Sequence, residues 1–141
     1  MIVVKKWETF HLKEMACAWV KPDWPHDKRR VILYCHGGGY TSGNLGYSRP
    51  LASKLTNATG WETLCFEYRL APEHPFPAAV DDARRAWEYL MYLGYGARDV
   101  VVAGDSAGGN LALVLCHQLK QAGRQLPGRL VLMSPWTDMT A

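Results

Sequence analysis

No stretch of this 141-residue chain is apolar for long enough to cross a bilayer. Its first residues, Met1-Ile2-Val3-Val4-Lys5-Lys6, lack the apolar core of a secretory leader. These absences predict no membrane span, no signal peptide and a cytoplasmic chain. Charge of one sign is scarce too. The formal net charge is +3, and the only basic run, Lys28-Arg29-Arg30, leads into an apolar segment. A solvated turn is expected there, with no nucleic-acid partner. Cys17, Cys35, Cys65 and Cys116 are scattered with no C-x-x-C pair, which argues against a disulfide framework or a metal site. Cys35 and Cys65 fall inside apolar runs and read as buried, reduced thiols. No internal repeat or low-complexity tract is present. What remains is ordinary for a soluble globular protein, with 48% apolar and 21% charged residues. The length suffices for one domain with a real core, residues 1–141, and not for two.

Along the chain, periodicity switches repeatedly. Trp7 to Leu12 and Ala16 to Val20 read as an edge hairpin or meander. Val31 to Cys35 is continuously apolar, as expected of a strand buried on both faces. Ser48-Arg49-Pro50 reads as the start of a helix running to about Thr59, before Gly60. Trp61 to Tyr68 reads as a strand, and the proline-rich Ala71 to Pro77 as a rigid loop. Val80, Ala83, Trp87 and Leu90 then share one face of a helix that ends near Gly94. Asp81 and Asp82 lie in its first turn, where the helix dipole favours carboxylates. Leu130 to Met133 is a last strand. Alternating strands and helices predict an α/β fold, a mostly parallel sheet with helices on both faces. Working residues collect at the carboxyl ends of such strands.

Two glycine-rich segments lie at such ends. Val100 to Val102 is a strand, Gly104-Asp105-Ser106-Ala107-Gly108 fits G-x-S-x-G, and an apolar helical run follows from Leu111. That order is a nucleophile elbow, which projects a serine hydroxyl above the sheet. A Cβ at 104 or 108 would crowd the neighbouring strand or helix. Gly-Asp-Ser also occurs in trypsin-like proteases, but those are built of antiparallel barrels, and here the serine opens a helix. The second segment, His36-Gly37-Gly38-Gly39-Tyr40, can offer backbone amides to an oxyanion, alongside the amide of Ala107. No Lys-Ser/Thr follows it, so a phosphate cradle is disfavoured.

Taken together, His36 to Tyr40, Tyr68 to Glu73, Pro75 to Ala79, Gly104 to Asn110 and Ser134-Pro135-Trp136 resemble, in order and spacing, the hormone-sensitive-lipase branch of the α/β-hydrolases. The resemblance covers residues 5 to 138. It implies a serine carboxylesterase or lipase-like hydrolase of short to medium acyl esters, working through an acyl-enzyme without a cofactor. By the same resemblance Ser106 is the nucleophile, and the amides of Gly38, Gly39 and Ala107 form the oxyanion hole. His36, Gly37 and Asp105 support it, His36 as a buried anchor for its loop.

The chain also departs from that family. The acid and histidine of its triad lie well beyond Ser106, after which only 35 residues remain here. His117 is 11 positions along the same helix, roughly 16 Å away. Asp138 follows a strand but is usually outside the triad in this branch, and His11, His26 and His74 have no positional argument. The expectation is therefore an incomplete α/β-hydrolase fold, strands one to six of eight, lacking the helical cap and weak or inactive alone. Its open sheet edge calls for a second copy or a complementary C-terminal fragment. Two other readings of the scaffold stay open: a non-catalytic small-molecule receptor, and a self-associating remnant.

Overall fold

In the three central strands, neighbouring side chains alternate between two apolar clusters, as the period of two demands. Val31, Leu33 and Cys35 join one cluster with Leu64, Phe66, Val100 and Val102, while Ile32, Tyr34, Cys65 and Ala103 join the other. Both faces must then be covered, and helices cover both. The computed structural model describes residues 5–37, 45–69 and 77–133. Within them lie strands Lys5–Leu12 (β1), Met15–Pro22 (β2), Val31–Cys35 (β3), Glu62–Phe66 (β4), Val100–Asp105 (β5) and Arg129–Met133 (β6). The helices are Leu45–Thr59 (α1), Ala78–Tyr92 (α2) and Ala107–Gln121 (α3).

The strands form one sheet in the order β1-β2-β4-β3-β5-β6. β1 pairs antiparallel with β2, and β2 with β4, while β4, β3, β5 and β6 are parallel. The expected fold class holds. α2 and α3 supply Trp87, Leu90, Leu111 and Leu115 to the larger cluster, and α1 supplies Ala52 to the smaller. Each fully buried large side chain is worth about 1.5–3 kcal/mol relative to exposure, so the α2/α3 side carries most of the core. The predicted face of α2 (Val80, Ala83, Trp87, Leu90) is buried throughout.

Local boundaries differ from expectation in three places. α1 begins at Leu45 rather than Ser48, which puts Pro50 inside the helix, where it forfeits the amide bond to Gly46. The strand expected over Trp61 to Tyr68 is confined to Glu62–Phe66; Glu67 still donates to Ala16 of β2, and Arg69 then leaves the sheet to bond Asp82 of α2. α3 starts at Ala107, directly after Ser106, rather than at Leu111. The proline loop up to Phe76 and the segment from Ser134 onward, including Asp138, lie outside the described residues. No described helix is long and apolar enough to cross a membrane. The four cysteines are free, and burial pushes the Cys17 thiol up to about 12.

The topology selects one location. From β3 the chain crosses by α1 to β4, and from β4 it crosses by α2, on the opposite face, back past β3 to β5. β3 and β5 are thus neighbours whose crossovers depart in opposite directions. Such a switch point leaves a crevice beyond the carboxyl ends of the two strands.

Candidate active site

The end of β5 is built to bend sharply. Ser106 has φ 55° and ψ −118°, a positive φ that costs a non-glycine residue free energy, and it joins β5 to α3 without a spacer. Glycines make the bend possible. A Cβ on Gly104 would stand 2.6 Å from Gly109 Cα and against the Gly108 carbonyl. One on Gly108 would meet the Cys35 carbonyl and come 2.6 Å from the His36 oxygen. The crowding expected at both positions is present, with helix and strand backbones in direct contact.

The main-chain groups of the elbow are largely committed. Ser106 N–H donates to the Met133 carbonyl of β6 (2.8 Å), and the Ser106 carbonyl accepts from Gly109 N–H (2.9 Å). Ser106 N–H is therefore spent and cannot serve as an oxyanion donor. Ala107, the first residue of α3, has no intrahelical acceptor for its N–H, and the helix dipole makes that end positive. Ser106 itself is partly exposed, and Ala107 is buried beside it.

β3 delivers the second segment to the same place, since Cys35 pairs in register with Gly104. Gly37 lies so close to the elbow that a Cβ there would be 3.3 Å from Ser106 Cβ and 2.9 Å from the Asp105 carbonyl oxygen. Gly38 and Gly39 lie outside the described residues. His36, Gly37, Asp105, Ser106 and Ala107 are thus brought together. Asp105 ends β5 and faces Tyr34, whose hydroxyl burial and the Asp105 charge together make harder to ionise.

His36 is fully buried, with its ring stacked on Tyr68 at 4.1 Å between centroids. Its Nδ1 lies 2.7 Å from the Gly37 carbonyl, so Nδ1 carries the hydrogen and donates it. Nε2 has no partner among the described residues. Burial holds the imidazole below its ordinary value, outweighing the opposing pull of the Gly37 carbonyl and Glu67. His117 is exposed on α3, and His26 bonds Glu62 (2.7 Å) at the opposite end of the sheet.

Three residues around the site make contacts that their sequence positions do not announce. Tyr68 donates its hydroxyl to the His36 carbonyl at 2.7 Å. Arg69 bonds Asp82 through its backbone N–H (2.7 Å) and through Nε (3.1 and 3.2 Å). Asp82 is therefore a buried structural anchor for the chain leaving β4, and Asp81 is the acid that lies in the first turn of α2. The available signals were a polar-tipped aromatic closing an apolar strand and the place of Tyr68 and Arg69 at the head of the Tyr68 to Glu73 motif.

Comparison with known proteins gives a consistent picture. The alpha/beta hydrolase fold family matches residues 32–141. An acetyl-hydrolase of Streptomyces hygroscopicus is 43% identical over 121 residues, which cover 86% of this chain and 40% of that protein. An ethyl acetate hydrolase of Pseudomonas putida is 42% identical over 114 residues, covering 77% of this chain and 36% of that one. Among solved structures, the crystal structure of EstE5 soaked with p-nitrophenyl butyrate superposes with a TM-score of 0.91 at 36% identity, over 96% of this chain and 46% of its own. An esterase of the bacterial hormone-sensitive lipase family gives 0.90 at 35% identity, over 99% and 47%. The chain spans less than half the length of each of these relatives. With its elbow at the carboxyl end of β5 and its glycine segment beyond β3, the chain belongs to the alpha/beta hydrolase fold family, on its hormone-sensitive-lipase-like branch.

Proposed function

We propose that this chain carries the nucleophile and the oxyanion donors of a serine carboxylesterase acting on short to medium acyl esters. The observation that carries the reading is Ser106 at φ 55°, held on the β5–α3 bend against Gly37. The relatives named acetyl-hydrolase and ethyl acetate hydrolase support the substrate class.

In this reading Ser106 Oγ attacks the ester carbonyl and its proton passes to a general base. Negative charge then develops on the former carbonyl oxygen, stabilised by the Ala107 amide and by those of Gly38 and Gly39. Collapse expels the alcohol and leaves an acyl-serine, which water hydrolyses by the reverse sequence. Neither His36 nor His117 suits the role of base. The first is fully buried with its ring stacked on Tyr68, out of contact with a bound ester, and the second is roughly 16 Å along α3. In this reading the acid and histidine are supplied by a complementary segment, and that segment or a second copy covers the edge of β6, where Val131 is 40% exposed.

The test offers p-nitrophenyl butyrate to the chain alone and to the chain extended by the remaining part of the acetyl-hydrolase relative, folding being checked by circular dichroism. Turnover in the extended form only, abolished by Ser106→Ala, is the expected result. Turnover surviving Ser106→Ala overturns the esterase reading. Turnover by the chain alone, lost in Ser106→Ala, would place a base within it. Calorimetric binding of a small molecule without ester consumption would favour the receptor reading.

A further inference from the structure

Resting on the esterase reading above, we propose that Tyr68 is a positioning residue for the oxyanion hole, acting through the peptide that joins His36 to Gly37. The Tyr68 hydroxyl donates to the His36 carbonyl at 2.7 Å. A peptide unit is planar and trans, so holding that carbonyl also fixes the direction of the Gly37 N–H on its other side. The next carbonyl is held as well, because Gly37 O accepts from His36 Nδ1 at 2.7 Å. Two consecutive carbonyls are thereby fixed just before the chain enters the glycine run, and the ring stack between Tyr68 and His36 links both clamps.

Tyr68 is itself braced on both sides. Glu67 N–H donates to the Ala16 carbonyl of β2 (2.9 Å), and Arg69 N–H donates to buried Asp82 on α2 (2.7 Å). Arg69 also reaches the Ala78 carbonyl at the start of that helix (3.4 Å). The hydroxyl therefore hangs from the sheet and α2 together. The interior gains nothing from placing a hydroxyl at 1% exposure if packing alone were required, since phenylalanine fills the same space. Gly37 has no side chain with which to orient its peptide, and the external tether supplies that orientation.

The experiment compares Tyr68→Phe with the unsubstituted protein in whichever form hydrolyses ester in the preceding test, the chain alone or extended. The ring and its stack remain, and only the hydroxyl is lost. The expected result is a fall in kcat of about 10- to 100-fold with KM little changed. The affinity of a boronic acid that mimics the tetrahedral intermediate falls by a similar factor. In the 141-residue chain itself, the Gly37 amide resonance shifts in the variant. An unchanged kcat and an unmoved Gly37 amide overturn the proposal. His36→Asn, which keeps a donor near the Gly37 carbonyl, is expected to retain more kcat than His36→Leu, and equal losses would assign His36 to packing alone. The two readings fail separately. Turnover surviving Ser106→Ala sinks the esterase assignment, whereas turnover lost in Ser106→Ala but intact in Tyr68→Phe sinks the positioning role only.

Discussion

The space between Gly37 and Ser106 is too small for one more carbon. A Cβ on Gly37 would lie 3.3 Å from the Cβ of Ser106 and 2.9 Å from the Asp105 carbonyl oxygen, which is backbone and cannot swing aside. Gly37→Ala must therefore push the end of β3 away from the elbow. Overpacking of this kind costs about 1–3 kcal/mol, and a displacement near 1 Å at a catalytic segment can cost about 100-fold in rate. The substituted protein is expected to stay folded in circular dichroism while kcat for p-nitrophenyl butyrate collapses. Full activity would show that the segment can yield without consequence.

Gly108 and Gly123 make a matched pair for separating crowding from backbone strain. At Gly108 a methyl group meets the Cys35 carbonyl and lies 2.6 Å from that of His36, whereas at Gly123 (φ +70°) it meets nothing within 4 Å. Gly108→Ala is expected to cost about 3 kcal/mol, at the top of the range for overpacking. Gly123→Ala is expected to cost about 1 kcal/mol, from the left-handed conformation alone. Urea denaturation of the two variants decides this, and equal losses would refute close packing of α3 on β3.

Asp81 and Asp82 are adjacent in sequence and opposite in environment. Asp81 is exposed, while Asp82 is 1% exposed and accepts the backbone and side-chain bonds of Arg69. Arg69 has 43% of its side chain in solvent, so the ion pair alone is worth little. The cost of Asp82→Ala arises from leaving the Arg69 amide without its acceptor, about 2 kcal/mol. Asp81→Ala should fall within about 0.5 kcal/mol of zero. Similar denaturation midpoints for the two would contradict the anchoring role.

That pair also marks how far the sequence could be read. The elbow, the run Val31–Cys35 and the buried face of α2 were legible, because each is a local pattern: a strained turn between two periods, a continuous apolar run, a 3.6-residue stripe. The partners of Asp82 and Tyr68 were not, because both act across the fold. Asp82 bonds a residue 13 positions away, and Tyr68 one 32 positions away. The start of α1 was misplaced for a related reason. Proline signals a first turn by local statistics, yet packing of Ala52 and Thr56 on the sheet sustains the helix around Pro50.

The buried imidazole of His36 gives stability a dependence on pH. Burial lowers its proton affinity below the ordinary value of 6.5, so the unfolded chain takes up a proton there before the folded chain does. Stability from this group is present above pH 6.5 and is lost as pH falls below it, by up to about 1.4 kcal/mol per pH unit until the folded ring protonates. Denaturation at about pH 7.5 and about pH 5.5 should show a larger loss for the unsubstituted chain than for His36→Asn, which has no proton to bind. Parallel losses in the two would show that other groups govern the acid response.

Strain at the elbow can be measured by removing it. At φ 55° and ψ −118°, Ser106 occupies a region costing about 1–3 kcal/mol for a residue with a Cβ, and glycine escapes that cost. Glycine also loses about 0.5–1 kcal/mol more backbone entropy on folding, so the net gain of Ser106→Gly over Ser106→Ala is about 1 kcal/mol. Both variants lack the hydroxyl, and Ser106 is only partly buried, so loss of the oxygen cancels in the comparison. The glycine variant is expected to melt several degrees above the alanine variant, and both should be inactive toward ester. Such an ordering would mean that the fold holds its nucleophile at a standing cost, as expected where a side chain is positioned for chemistry rather than for packing. An alanine variant as stable as the glycine variant would show that the bend is relaxed, and the case for Ser106 as an activated nucleophile would lose its structural basis.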